Sequence, residues 1–347
     1  MVEKAHPTQK NTKKGQKDFT GVVPKPLDPN SITHYKTIDS LLTQTPEIVY
    51  SEKLDEIIVS GFMRRDDNYQ IKIFDGKTFT LKDSKDAHRA PIHKMVLLPE
   101  EMIATVSADK FVKIWRISQL GLLHEFRLKY EPLDVCVNPG LMAAVIVGRS
   151  GMISCYSIKT GSFVAEINGS NAEGYNACVL LPEKNVVAVS LINRNEVDII
   201  DCDLSIRVST LEGGNDINIA IGLQMVGTDR IVVGSDNGIV VWSLADTKNP
   251  QKLLHFAPPL TKISHFLVVP EDDTLILTQK SPSISFFRFS DTTFLKSLPT
   301  KLQKCHGITY ARAVQRILVV DSEEGAVAVF IKKEKTNKNA CQACNIF

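Results

Sequence analysis

The stretch Ser107 to Ile117, "SADKFVKIWRI", opens with a short polar turn and runs on as a strand of alternating apolar residues that reaches a tryptophan at Trp115. Polar turn residues ahead of a β-branched and aromatic run are a strand signal. With Trp115 as a marker, comparable strands end at Phe74 ("QIKIF"), Tyr156 ("MISCY"), Ile200 ("EVDII"), Trp242 ("GIVVW"), Phe287 ("SISFF") and Phe330 ("AVAVF"). The marker therefore returns every 41 to 45 residues. About ten residues ahead of each lies an apolar run, among them "DEIIVSG", "EMIATVSA", "LMAAVIVG" and "QRILVVD". A tight polar turn separates the two, and a further segment such as "GLLHEFRL" often follows. No segment carries sustained helical periodicity.

Four short strands in a unit of about 40 to 45 residues are the signature of a propeller blade. Seven markers predict an all-β, seven-bladed β-propeller of four-stranded blades over residues 31–332. Blade one is expected to begin near Glu47. Blade seven ends its third strand near Ile331 without a fourth of its own. The segment Ser31 to Leu41, "SITHYKTIDSL", alternates and has no other assignment, so it is expected to supply the missing strand and close the ring.

The residues from Asp86 to Trp115, "DAHRAPIHKMVLLPEEMIATVSADKFVKIW", resemble a WD repeat. Ala87-His88 stands where that family has Gly-His, Asp109 sits in the turn, and Thr105 or Ser107 takes the hydroxyl position of the preceding strand. The resemblance implies that His88, Thr105, Asp109 and Trp115 form a hydrogen-bonded tetrad that holds one blade together and does no chemistry. "GSDNGIVVW" keeps Asp236 and Trp242 at the same spacing without a matching His, and the other five copies are degenerate.

The 347 residues are 43% hydrophobic and 23% charged with a net charge of +2, so bulk charge names no partner and disfavours a nucleic-acid-coating protein. The start lacks the apolar core of a secretory signal, and the seven cysteines follow no disulfide framework, which points to a reducing compartment, cytosol or nucleus. Residues 1–30 hold six lysines and three acids and read as a disordered basic tail. Residues 333–347 read as a second flexible basic tail.

The last four residues, Cys344-Asn345-Ile346-Phe347, resemble a C-a-a-X prenylation box, although Asn345 departs from its pattern. Cys341 is a candidate palmitoyl site, and Lys332, Lys333, Lys335 and Lys338 add a basic stretch. One lipid chain holds a membrane only marginally, and either feature provides the second signal. A rival reading takes Cys341-Gln342-Ala343-Cys344 as a C-x-x-C redox or metal motif, without the partner pair of a zinc site.

No nucleotide-binding, metalloprotease or nucleophile-elbow motif is present, so no cofactor, metal or small-molecule substrate is expected. The turns between second and third strands carry Arg64, Arg65, Lys110, Arg149, Arg194 and Lys280 on five blades and Asp236, Glu323 and Glu324 on the other two. These make a candidate face for other proteins, acidic segments in particular. The expectation is a non-catalytic interaction scaffold held at a cytoplasmic membrane surface by its lipidated end. The alternatives are a soluble WD-repeat subunit of a cytosolic or nuclear complex, and a propeller hydrolase.

Overall fold

A computed structural model describes residues 27–332, apart from residues 170, 215–217, 259–261, 280 and 322. The fold is a seven-bladed β-propeller, with seven antiparallel four-stranded sheets arranged in a ring. In blade one the strands are Thr43–Ser51, Glu56–Met63, Asn68–Asp75 and Leu81–His88, and in blade two Ile92–Leu98, Met102–Ser107, Phe111–Arg116 and Gly121–Arg127. Each marker falls in the third strand of its blade. Every blade has its fourth strand, including those whose outer segment carried little pattern.

Burial explains the sequence pattern strand by strand. The second strands are buried along most or all of their length, as in Met102–Ser107 and Ala143–Gly148, because neighbouring blades cover both faces. They therefore read as continuous apolar runs rather than as alternation. The outer strands are largely exposed, as in Leu81–His88. The cores lie between blades: Ile58, Ile71 and Ile73 of blade one pack with Met95, Ile103 and Trp115 of blade two. The first strands stand side by side around a central channel.

Ile32–Asp39 is the fourth strand of blade seven, antiparallel to Ala326–Lys332. A bulge between His34 and Lys36 interrupts the register. The N-terminal strand closes the ring, and Lys332 belongs to the last strand of the ring, half-buried opposite Ile32.

Two boundaries move. Blade one starts at Thr43 rather than near Glu47, because an irregularity between those residues hides the first part of the strand from a period-two reading. Residues packed on the ring also begin ahead of residue 31. Leu27 is buried in the core shared by blades six and seven, and the Asp28 carboxylate accepts from the N–H of Asn30 at the head of a 3₁₀ turn, Pro29–Ser31. Leu27 and Pro29, assigned to the tail, are thus buried against the ring. Residues 1–26 and 333–347, with Cys341, Cys344, Lys333, Lys335 and Lys338, lie outside the described residues.

Candidate interaction face and channel

His88 ends the outer strand of blade one, and its ring reaches into blade two. Its Nε2 lies 2.8 Å from Thr105 Oγ1, and its Nδ1 lies 2.9 Å from Asp109 Oδ2. Trp115 Nε1–H donates to the same Thr105 oxygen at 3.0 Å. The structure brings all four side chains into one chain of bonds. Thr105 takes the hydroxyl place. Ser107 instead donates to the Ala90 carbonyl and accepts from the N–H of Asp109.

Burial lowers the pKa of the His88 imidazole, against the pull of Asp109, and favours its neutral form. Only that form completes the chain: Trp115 Nε1–H to Thr105 oxygen, Thr105 O–H to His88 Nε2, His88 Nδ1–H to Asp109. Burial works against ionisation of Asp109. The bonds from His88 and from the N–H groups of Phe111 and Arg89 outweigh it and bring the carboxyl down to about 2.

In an up-and-down blade, the turns joining second to third strands share one face of the ring with the loops that lead into the next blade. On that face Arg64, Arg65 and Lys110 are exposed and form no ion pair among the described residues. Arg149 is engaged by Glu131 at 3.3 Å and Arg194 by Glu196 at 3.8 Å. Lys280 lies outside the described residues. The open cations of the expected set therefore gather on blades one and two. Arg89 and Lys129, exposed on the loops entering blades two and three, lie on the same face. They escaped the sequence reading because only second-to-third turns were compared. The acidic sector is largely neutralised: Lys262 holds Asp236 at 2.8 Å, Lys304 holds Glu323 at 3.1 Å, and Gln303 donates to Glu324.

The channel holds polar groups that the sequence reading also missed. Lys94 Nζ lies 3.3 Å from Glu47 Oε2. Glu47, with Asp134 adding to it, holds the Lys94 ammonium well above its usual pKa despite burial. Burial pushes the Asp134 carboxyl up to about 6, against Lys94 and the N–H groups of Cys178 and Val135. His265 is pushed down to about 3 by burial and then by the Lys94 charge, and burial lowers His306 as well. The channel cavity measures about 480 Å³. On the second-to-third-turn face, at blades four and five, a wider funnel of about 1190 Å³ meets the channel at Asn176, Ile221, Ser264 and His306.

Over 140 residues, 39% of its length, the chain is 25% identical to periodic tryptophan protein 2 of Arabidopsis thaliana. The matched stretch corresponds to 15% of that relative's length. No protein-family profile matches the chain. The seven-bladed ring and this distant WD-repeat homologue together support a WD-repeat propeller.

Proposed function

We propose that the protein is a non-catalytic scaffold that holds a protein partner on its second-to-third-turn face, with the open cations of blades one and two receiving an acidic segment. The observation that carries this reading is the group Arg64, Arg65 and Lys110, exposed on adjacent blades with no ion pair among the described residues. A rigid ring presents such charges without ordering a loop first, and charges at an interface rim act chiefly through association rate and salt dependence. The test is affinity purification with partner identification, then binding of the purified partner to the wild type and to an Arg64→Glu, Arg65→Glu, Lys110→Glu triple variant. The expected result is slower association for the variant and a flatter salt dependence. Equal association of both proteins at low salt would remove the reading.

A finer part of the reading concerns location. Where Phe347 ends the mature chain, Cys344 is the thiol a prenyl group takes, with Cys341 and Lys332, Lys333, Lys335 and Lys338 as supporting signals at a cytoplasmic leaflet. Intact mass of protein from its native cells, with fractionation of a Cys344→Ser variant, tests it. A mature chain with unmodified Cys344 leaves the soluble scaffold.

A further inference from the structure

We infer that the funnel over blades four and five receives an arginine side chain of a bound protein segment. The inference rests on the scaffold reading and adds a specificity site away from the blade one and two cations. One N–H of each of three amides on the funnel wall is already used. Asn193 Nδ2 donates to Glu173 at 2.9 Å, Asn195 Nδ2 to the Gly214 carbonyl, and Asn218 Nδ2 to Asp236 at 2.7 Å. Each of these three amides keeps one N–H and presents a carbonyl oxygen that can accept, while the Asn176 oxygen already accepts from Ser190. Arg194 is the cation on this wall, and it is drawn to Glu196.

At the neck, His306 Nδ1 is buried with no hydrogen-bond partner among the described residues. His306 stays neutral, so one of its ring nitrogens is an acceptor. Below the neck the channel carries the carboxylates of Glu47 and Asp134 about the single ammonium of Lys94. The polar groups thus ask for a donor with positive charge. Between them Ile219 and Ile221 are 42% and 38% exposed on the same wall and offer apolar surface. An alkyl stem that ends in a planar group of five donors matches both demands, and among protein side chains that is arginine.

The test uses the full-length protein and two synthetic peptides, acetyl-Gly-Gly-Arg-Gly-Gly-amide and its citrulline counterpart, which keeps the shape and loses the charge. Calorimetry and chemical-shift mapping should show the arginine peptide binding at least tenfold tighter, with shifts at Ile219, Ile221 and His306. Asn195→Lys sets a cation on the wall and should lower arginine-peptide affinity tenfold or more. Asn218→Lys provides a second variant should the first unfold, as judged by melting. Arg64→Glu/Arg65→Glu should bind the peptide unchanged. Equal binding of the two peptides, no binding, or full affinity in the folded lysine variants would overturn the inference. A partner lost on reversal of Arg64 and Arg65 while the peptide arms fail would refute the funnel alone. Peptide binding without any partner at the cations would refute the scaffold face alone.

Discussion

Ile32 lies directly opposite Lys332, the first residue of the first strand against the last residue of the final strand, so the first and last strands of the ring meet in one sheet. The seam is fastened again at its other end. The N–H of Ser40 donates to the Gly325 carbonyl at 3.0 Å, and Lys72 Nζ reaches the Ser40 carbonyl at 2.7 Å from blade one.

Removal of residues 1–26 should leave the melting temperature unchanged. Removal of 1–39 strips the outer strand of blade seven with the buried Ile32 and Ile38, each worth about 1.5–3 kcal/mol, and leaves a full edge unpaired. A cut at residue 28 should fall between the two, since it takes Leu27 and the Asp28 cap. Calorimetric melting of the three truncations checks the order. Equal melting of the first and second would refute the seam.

Gly325 tests the seam without shortening the chain. Its φ is +68°, and a Cβ built there would lie 1.6 Å from the Leu42 carbonyl oxygen. Gly325→Ala should destabilise by more than the about 1 kcal/mol range of permitted Gly-to-Ala changes. Denaturant midpoints measure it, and a neutral effect would mean the loop relaxes freely.

In blade two, Trp115→Ala should cost about 3–5 kcal/mol, because a fully buried indole leaves a cavity between blades one and two. Thr105→Val keeps the shape but strands the Trp115 N–H and the His88 nitrogen, and should cost about 1–3 kcal/mol. Chemical denaturation separates these outcomes. A Thr105→Val variant as stable as wild type would mean the bonds contribute nothing net.

Much of this was legible because each second strand is buried on both faces and each third strand carries a bulky residue near its end, so period and order survive even where the WD pattern does not. Leu81–His88, "LKDSKDAH", shows the limit: its exposed outer position asks for no apolar pattern, so only the repeat length implied it. The channel groups were illegible for another reason. Glu47, Lys94, Asp134, His265 and His306 are far apart in the chain, and each looks like an ordinary polar residue in an ordinary strand. What gathers them is the ring, which turns seven first strands inward. Arg149 and Arg194 show the converse, since their neutralising partners are visible only in three dimensions.

Two of the channel groups, His265 and His306, set a pH dependence together with His88 of the tetrad. His88, His265 and His306 have folded pKa values below 6.5, so each contributes stability that is full above pH about 6.5 and is lost as pH falls. Asp134 acts in the opposite sense: its raised carboxyl favours the fold as pH drops from about 6 toward 4. These histidines, with His34 and His255 lowered in the same sense, outweigh the one raised carboxyl, so melting temperature should fall from pH 7.5 to pH 5, with the loss setting in below pH about 6.5. His265→Gln should remove up to one proton of that slope, roughly 1.4 kcal/mol per pH unit. A melting temperature that is flat or rising on acidification would contradict the neutral assignments.

The Glu47–Lys94 pair provides the last test, because it separates a stabilising charge from a charge that merely needs its partner. The two side chains are 13% and 30% exposed, so both are partly desolvated, and removal of one leaves the other poorly compensated. Lys94→Met should cost about 2–3 kcal/mol, below the about 3–5 kcal/mol of a fully buried pair because the channel admits some solvent. It leaves Glu47 and Asp134 facing one another without a cation, so the Asp134 carboxyl should titrate above its present value of about 6. The double variant Glu47→Gln/Lys94→Met removes both charges and should recover most of the lost stability. Denaturant unfolding of the three proteins, with carboxyl titration of Asp134 by NMR, measures both effects. A double variant as unstable as Lys94→Met, with Asp134 unmoved, would show that Lys94 acts through packing of its stem rather than through its charge.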